Sequence, residues 1–207
     1  MELKTELYSE QIKKWPQSGK HILAQYSDEY VVVYQAYKPS IGNFAVENQR
    51  FGSDFSFSRM SWIKTNFLWM MYRSGWGTKT DQEVTLAIYL KRSYFTDILA
   101  AAFPSKNVQG LAKDEWSKQV ANTDVRLQWD PDHNPYGTKQ DRKAIQLGLR
   151  KNYLSGFNGD AIERIEDISE FVSEQRKWVE KGELENLLTP YEQVYPIHAA
   201  VRESLIM

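Results

Sequence analysis

The chain has no cysteine, which removes disulfides, thiolate catalysis and cysteine-bound zinc or iron–sulfur centres together. It has only three histidines, so a multi-histidine metal site has little to draw on. No apolar run approaches the roughly 20 residues that a membrane-spanning helix requires. The longest is Phe67–Tyr72, and the N-terminal MELKTELYSEQIKKW lacks the apolar core of a signal peptide. A cytoplasmic protein with no membrane partner is therefore expected. An excess of charge is missing too, with 26 basic residues against 27 acidic. Any affinity for phosphate must then come from local clustering. No GxSxG, HExxH, EF-hand or dinucleotide fingerprint is present.

What the chain does have is a basic, aromatic tract. Phe55–Thr80 holds Arg59, Lys64, Arg73 and Lys79, no acidic residue, and three of the seven tryptophans. Trp62, Trp69 and Trp76 recur at heptad spacing. On a helix they would share one stripe with Arg59, Asn66 and Arg73. Two readings stand. The stripe is the edge of a core with arginines lying over it, or it is a site for a flat, anionic ligand such as a nucleotide.

The remaining pattern predicts one α+β domain over residues 1–207, with a mixed or mainly antiparallel sheet, helices around it and a peripheral N-terminal helix within residues 1–20. Tyr30–Tyr37 reads as a buried strand, with His21–Tyr26 as a strand before it. Pro39 opens a helix that runs to about Gln49. A helix over Ile63–Ser74 ends at Gly75, and Gln82–Lys91 is a strand. Tyr94–Phe103 is a helix stopped by Pro104. Val125–Trp129 and Ala144–Leu149 are strands separated by a loop, Asp130–Lys139. Ile165–Lys181 reads as an amphipathic helix ending at Gly182, and a last helix lies near Ile197–Leu205.

Several single residues stand out. The glycines of Ser74-Gly75-Trp76-Gly77-Thr78-Lys79 sit too close together for a Walker loop, which leaves Lys79 as a lone phosphate contact at most. Gln35, in an apolar strand between Tyr34 and Tyr37, needs hydrogen-bond partners, from a ligand amide or from a neighbouring loop. Asp130, Asp132 and His133 form a metal-capable trio, but Asx-turn chemistry explains both aspartates, and no metal is expected. Glu192 is a carboxylate among aromatic and apolar neighbours, and in a cleft its charge would stabilise a developing cation.

Five stretches, VYQAYKPSIGNFAV, SRMSWIKTNFLWMMYRSGWGTK with the following Gln82, LQWDPDHNP, RKAIQLGLR and EQVYPI, resemble one family, the domain of unknown function numbered 4291. The resemblance extends over nearly the whole chain from about His21 and implies a pattern without an activity. A second resemblance, of order and spacing only, is to ADP-ribosyltransferase folds. It implies NAD as substrate, with Tyr34-Gln35, Ser56–Ser58 or Ser61, and Glu192 in the three motif positions. Gln35 departs there from the usual histidine or arginine, no clean Ser-Thr-Ser occurs, and Glu192 lies between prolines. The leading expectation is a nucleotide-handling enzyme of NAD-dependent transferase type. Arg59, Lys64, Arg73 and Lys79 would face the phosphates, Tyr34, Tyr37 or Trp62 would pack a ring, and Glu192 would face the ribosyl cation. The alternative is a non-catalytic module that binds single-stranded nucleic acid through the same surface.

Overall fold

Tyr30–Tyr37 forms strand β1, and its apolar run, interrupted only by Gln35, follows from its position inside a sheet covered on both faces. The computed structural model describes residues 3–107 and 110–207. Around β1 stand β2 (Ser61–Lys64), β3 (Val84–Lys91), β4 (Ala102–Pro104), β5 (Val125–His133), β6 (Lys139–Leu149) and β7 (Ile162–Asp167). Their order is β7-β3-β1-β2-β6-β5-β4, and of these neighbours only β4 and β5 run parallel. Gly19–Lys20 adds a short parallel pairing beside β6. The fold is α+β with a mainly antiparallel mixed sheet.

The helices include α1 (Tyr8–Lys14), α2 (Pro39–Asn48), α3 (Phe67–Ser74), α4 (Arg92–Ala101), α5 (Lys113–Asn122) and α6 (Ser169–Lys181). Val31, Val33, Ile63, Leu86 and Ile88 pack on one face of the sheet with Phe95 and Ile98 of α4. Val32, Tyr34, Ala87 and Tyr89 pack on the other with Phe67, Met70 and Met71 of α3 and Val172 of α6. Among the described residues, no helix is long and apolar enough to cross a membrane.

Four sequence expectations need correction. The helix expected over Ile63–Ser74 is two elements. Ser61–Lys64 pairs with Leu149–Gln146 of β6, and Lys64 stands opposite Tyr34 of β1. The helix starts only after Asn66, whose side chain accepts the Trp69 N–H at 2.7 Å. Ile165–Asp167 likewise belongs to β7, and α6 begins at Ser169, where Asp167 Oδ1 accepts the Ser169 N–H at 2.8 Å. The loop expected over Asp130–Lys139 is half strand, and only Asn134–Thr138 turns, with Asn134 Oδ1 accepting from Tyr136 and Thr138. The N-terminal helix is not peripheral. Gln11 and Trp15 are buried, and Thr5–Leu7 pairs with Leu188–Pro190.

Candidate functional site

The register of the sheet lines up a polar row. Tyr34 of β1 stands opposite Lys64 of β2, Lys64 opposite Gln146 of β6, and Gln146 opposite Gln128 of β5. Trp62 and Asp130 lie two positions away along their own strands, so period-two alternation puts them on the same face. Helix α3 crosses above this end of the sheet and contributes Trp69, Tyr72 and Arg73. Together with Pro131, His133 and Lys139 these residues, apart from the fully buried Tyr34, line a cleft of about 480 Å³. Gly148 clears space for one wall. A Cβ there would stand 2.6 Å from Met60 Sδ and 3.0 Å from the Trp62 ring. Gly148→Val is expected to lower stability by about 1–3 kcal/mol through overpacking. It should also displace the Trp62 indole, read by urea denaturation and tryptophan fluorescence.

Lys64 sits in the floor of the cleft, only 7% exposed. Its ammonium has one long hydrogen bond, 3.4 Å to the Trp62 carbonyl, and lies 5.0 Å from the Trp69 ring centre. The Arg73 guanidinium lies 5.8 Å from the same ring. Burial, reinforced by Arg73 and opposed by Asp130, lowers the Lys64 pKa to about 7. Among the described residues, no ion pair engages Lys64, Arg73 or Lys139. Of the acids of the Glu163–Glu185 region, Glu163 pairs with Lys91, Glu166 with Arg164 and Glu180 with Arg176.

The β5–β6 side supplies the remaining chemistry. Gln146 Nε2 donates to Gln128 Oε1 at 2.7 Å and to Asp130 Oδ2 at 2.5 Å. The buried His133 ring stacks on Tyr72 at 3.7 Å and 9°, and neither ring nitrogen has a hydrogen-bond partner among the described residues. Burial lowers its pKa. Behind it Arg142 is locked to Asp132, with Nη2 at 2.5 Å and Nε at 2.7 Å from Oδ2. Asp132 is therefore spent on structure. Of the other hollows, the one lined by Arg92, Leu99 and Tyr195 offers little by comparison, since its guanidinium is already paired to Asp28.

The expected site residues separate. Trp62, Lys64 and Arg73 meet in the cleft, but not as a helical stripe, because Trp62 and Lys64 are on a strand. Arg59 and Tyr37 line a different hollow, with Lys38, Asp54 and Ser61. Gln35 also turns that way. Its Nε2 donates to Ser61 Oγ at 2.8 Å and to the Trp62 carbonyl at 3.1 Å, which makes it a brace between β1 and β2. Lys79 caps the end of α3 through the Arg73 carbonyl at 2.5 Å and stays exposed. Tyr34 is fully buried, its hydroxyl without a hydrogen-bond partner among the described residues and its pKa raised by burial.

Glu192 does not line the cleft. Its Oε1 accepts the Phe67 N–H at 2.6 Å and its Oε2 the Asn66 amide at 3.4 Å. Its backbone carbonyl accepts Trp15 Nε1 at 2.8 Å, and its N–H donates to Gln11 Oε1 at 2.8 Å. Burial pushes its carboxyl pKa well above the usual range. The group holds the start of α3 to both termini, and its expected role facing a cation is corrected to that of a brace. Gln128 and Gln146 are cleft residues that sequence reasoning did not single out, and His133 entered it only as part of a metal-capable trio. The motifs LQWDPDHNP and RKAIQLGLR contained them, but only the pairing of β5 with β6 brings them together.

Fold and site define an α+β domain with a cation-lined cleft at the junction of its sheet and helix α3. The chain matches the family model described as Domain of unknown function (DUF4291) over residues 21–195 and belongs to that family. A comparison with curated proteins gives no match.

Proposed function

We propose that the protein is a nucleotide-handling enzyme whose ligand sits in the cleft. Arg73 and Lys139 take phosphate at the rim, Lys64 adds positive charge in the floor, and Trp62 and Tyr72 supply ring surfaces. The observation that carries this reading is the pair of unneutralised cations, Lys64 and Arg73, set against one indole in a cleft whose only carboxylate among the described residues is Asp130. Holding such charges together without a counter-ion costs stability, and an anionic ligand removes that cost. The cleft volume falls within the range usual for small-molecule sites. NAD is the substrate proposed for an ADP-ribosyl-type transfer in this cleft. In this reading Asp130, which lines the cleft, takes the role of facing a ribosyl cation in place of Glu192.

Calorimetry with NAD, ADP-ribose and AMP tests this. Binding at micromolar to millimolar concentration is expected, and Arg73→Ala should weaken it about tenfold to a hundredfold, the worth of a charged hydrogen bond. Arg59→Ala, in a separate hollow, should leave affinity unchanged. Absence of binding for every phosphate-bearing ligand would remove the proposal. Tighter binding of a single-stranded oligonucleotide, falling steeply with salt, would turn the surface into a nucleic-acid interface.

A further inference from the structure

Lys64 is placed unlike a lysine that only attracts anions. The rim cations Arg73 and Lys139 are exposed and sufficient for a phosphate, whereas Lys64 lies beneath them, buried and, among the described residues, without a carboxylate partner. Its nitrogen has one long contact, to a carbonyl, in place of the several hydrogen bonds that a buried ammonium requires. The amide ladder Gln128–Gln146 and the acid Asp130 line the same wall, and the free ring nitrogens of His133 belong to a residue on it. These are groups suited to holding hydroxyls and moving protons.

We infer that the Lys64 amine is a nucleophile that forms an imine with the carbonyl carbon of a small phosphate-bearing sugar, such as open-chain ADP-ribose or ribose 5-phosphate. This rests on the cleft being the ligand site proposed above. The nitrogen lone pair attacks the carbonyl carbon, and the oxygen takes up a proton as the nitrogen releases one, giving a carbinolamine. Loss of that oxygen as water, with a second proton from the cleft, leaves the C=N bond. No oxidant or reductant is consumed. A desolvated lysine next to another cation is the arrangement that keeps an amine uncharged and reactive. With its pKa near 7, about half of Lys64 is free amine at neutral pH. For an ordinary lysine the fraction is roughly one in 2,500.

Reductive trapping tests the inference. The intact protein is incubated at pH 7 with sodium cyanoborohydride and either ADP-ribose or ribose 5-phosphate, followed by intact-mass measurement and peptide mapping. One adduct per chain on Lys64 is expected, formed at least about tenfold faster than on any other lysine, in line with its larger free-amine fraction. The rate should reach half its maximum near pH 7, and pyrophosphate should slow it. Faster trapping of ADP-ribose assigns a nucleotide sugar, and faster trapping of ribose 5-phosphate assigns a simple sugar phosphate. Lys64→Arg should lose this adduct alone. Should that variant fail to fold, Arg73→Gln serves instead, slowing trapping of ribose 5-phosphate about tenfold more than trapping of unphosphorylated ribose, which has no phosphate to lose and slows only as far as the Lys64 amine becomes more basic. Labelling spread evenly over surface lysines, or a rate still climbing at pH 10, would overturn the inference. Calorimetric binding of ADP-ribose without any trapped adduct would remove the imine alone and leave the binding site standing.

Discussion

Lys64→Met is expected to raise the melting temperature at neutral pH while weakening or abolishing ligand binding in the cleft. The wild-type amine has its pKa lowered from 10.5 to about 7 in the folded protein. Between those values the unfolded chain binds more protons than the native one, so stability from this group rises with pH across that window. At pH 7 and below, the native state bears the full cost of burying the charge. Methionine fills a similar volume without a charge and removes that cost. Replacing buried ionic groups with apolar ones of like shape stabilises by about 1–4 kcal/mol where desolvation dominates. In a chain of this size, that corresponds to several degrees. The gain should shrink as pH rises towards 10.5 and vanish there. Thermal denaturation of both proteins over pH 6 to about 10 reads the difference. A variant less stable than wild type at every pH would show that the Lys64 stem, not its charge, matters. The expected pattern is stability sacrificed at a functional position.

Arg142→Met should have the opposite effect and the largest one on folding. Arg142 and Asp132 are both almost wholly buried. The guanidinium holds Asp132 Oδ2, donates to the Pro16 carbonyl at 2.7 Å and lies 5.2 Å from the Trp15 ring centre. Asp132 Oδ1 in turn accepts the His133 N–H at 2.7 Å. Removing the arginine leaves a buried carboxylate without its counter-charge, which costs about 3–5 kcal/mol. It also unties the N-terminal segment from β6 and loosens the strand that carries His133. Urea denaturation measures the loss, and Asp132→Asn in the Arg142→Met background should recover part of it, because the orphaned charge is gone. A loss under about 1 kcal/mol would mean that water reaches Asp132 and that the pair is not a structural clamp.

Much of the fold was legible in particular stretches. YVVVYQAY read as a buried strand and is one, and Pro39, Gly75 and Gly182 marked helix ends where the structure has them. SWIKTNFLW misled because its aromatic spacing suits a helix, while Ser61–Lys64 takes the strand position between β1 and β6. There the pairing of both its edges outweighs local preference. Asn66 was the available clue, an N-cap residue in the middle of the supposed helix. The basic cluster was visible, but not which of its members converge. Lys64 and Arg73 meet over Trp69, whereas Arg59 lines another hollow and Lys79 closes a helix end.

By itself, the sequence determined the absence of thiol chemistry, the core strands and the concentration of positive charge in one tract free of acids. These are properties of composition and short-range pattern, and folding leaves them unchanged. Only the tertiary structure decided that Glu192 braces α3, that the His133 ring stacks on Tyr72, and that Lys64 is a buried amine with no carboxylate partner among the described residues. Burial, pairing and pKa depend on which distant segments come together. That is set by strand register and by helix placement across the sheet, and no local stretch of chain encodes it.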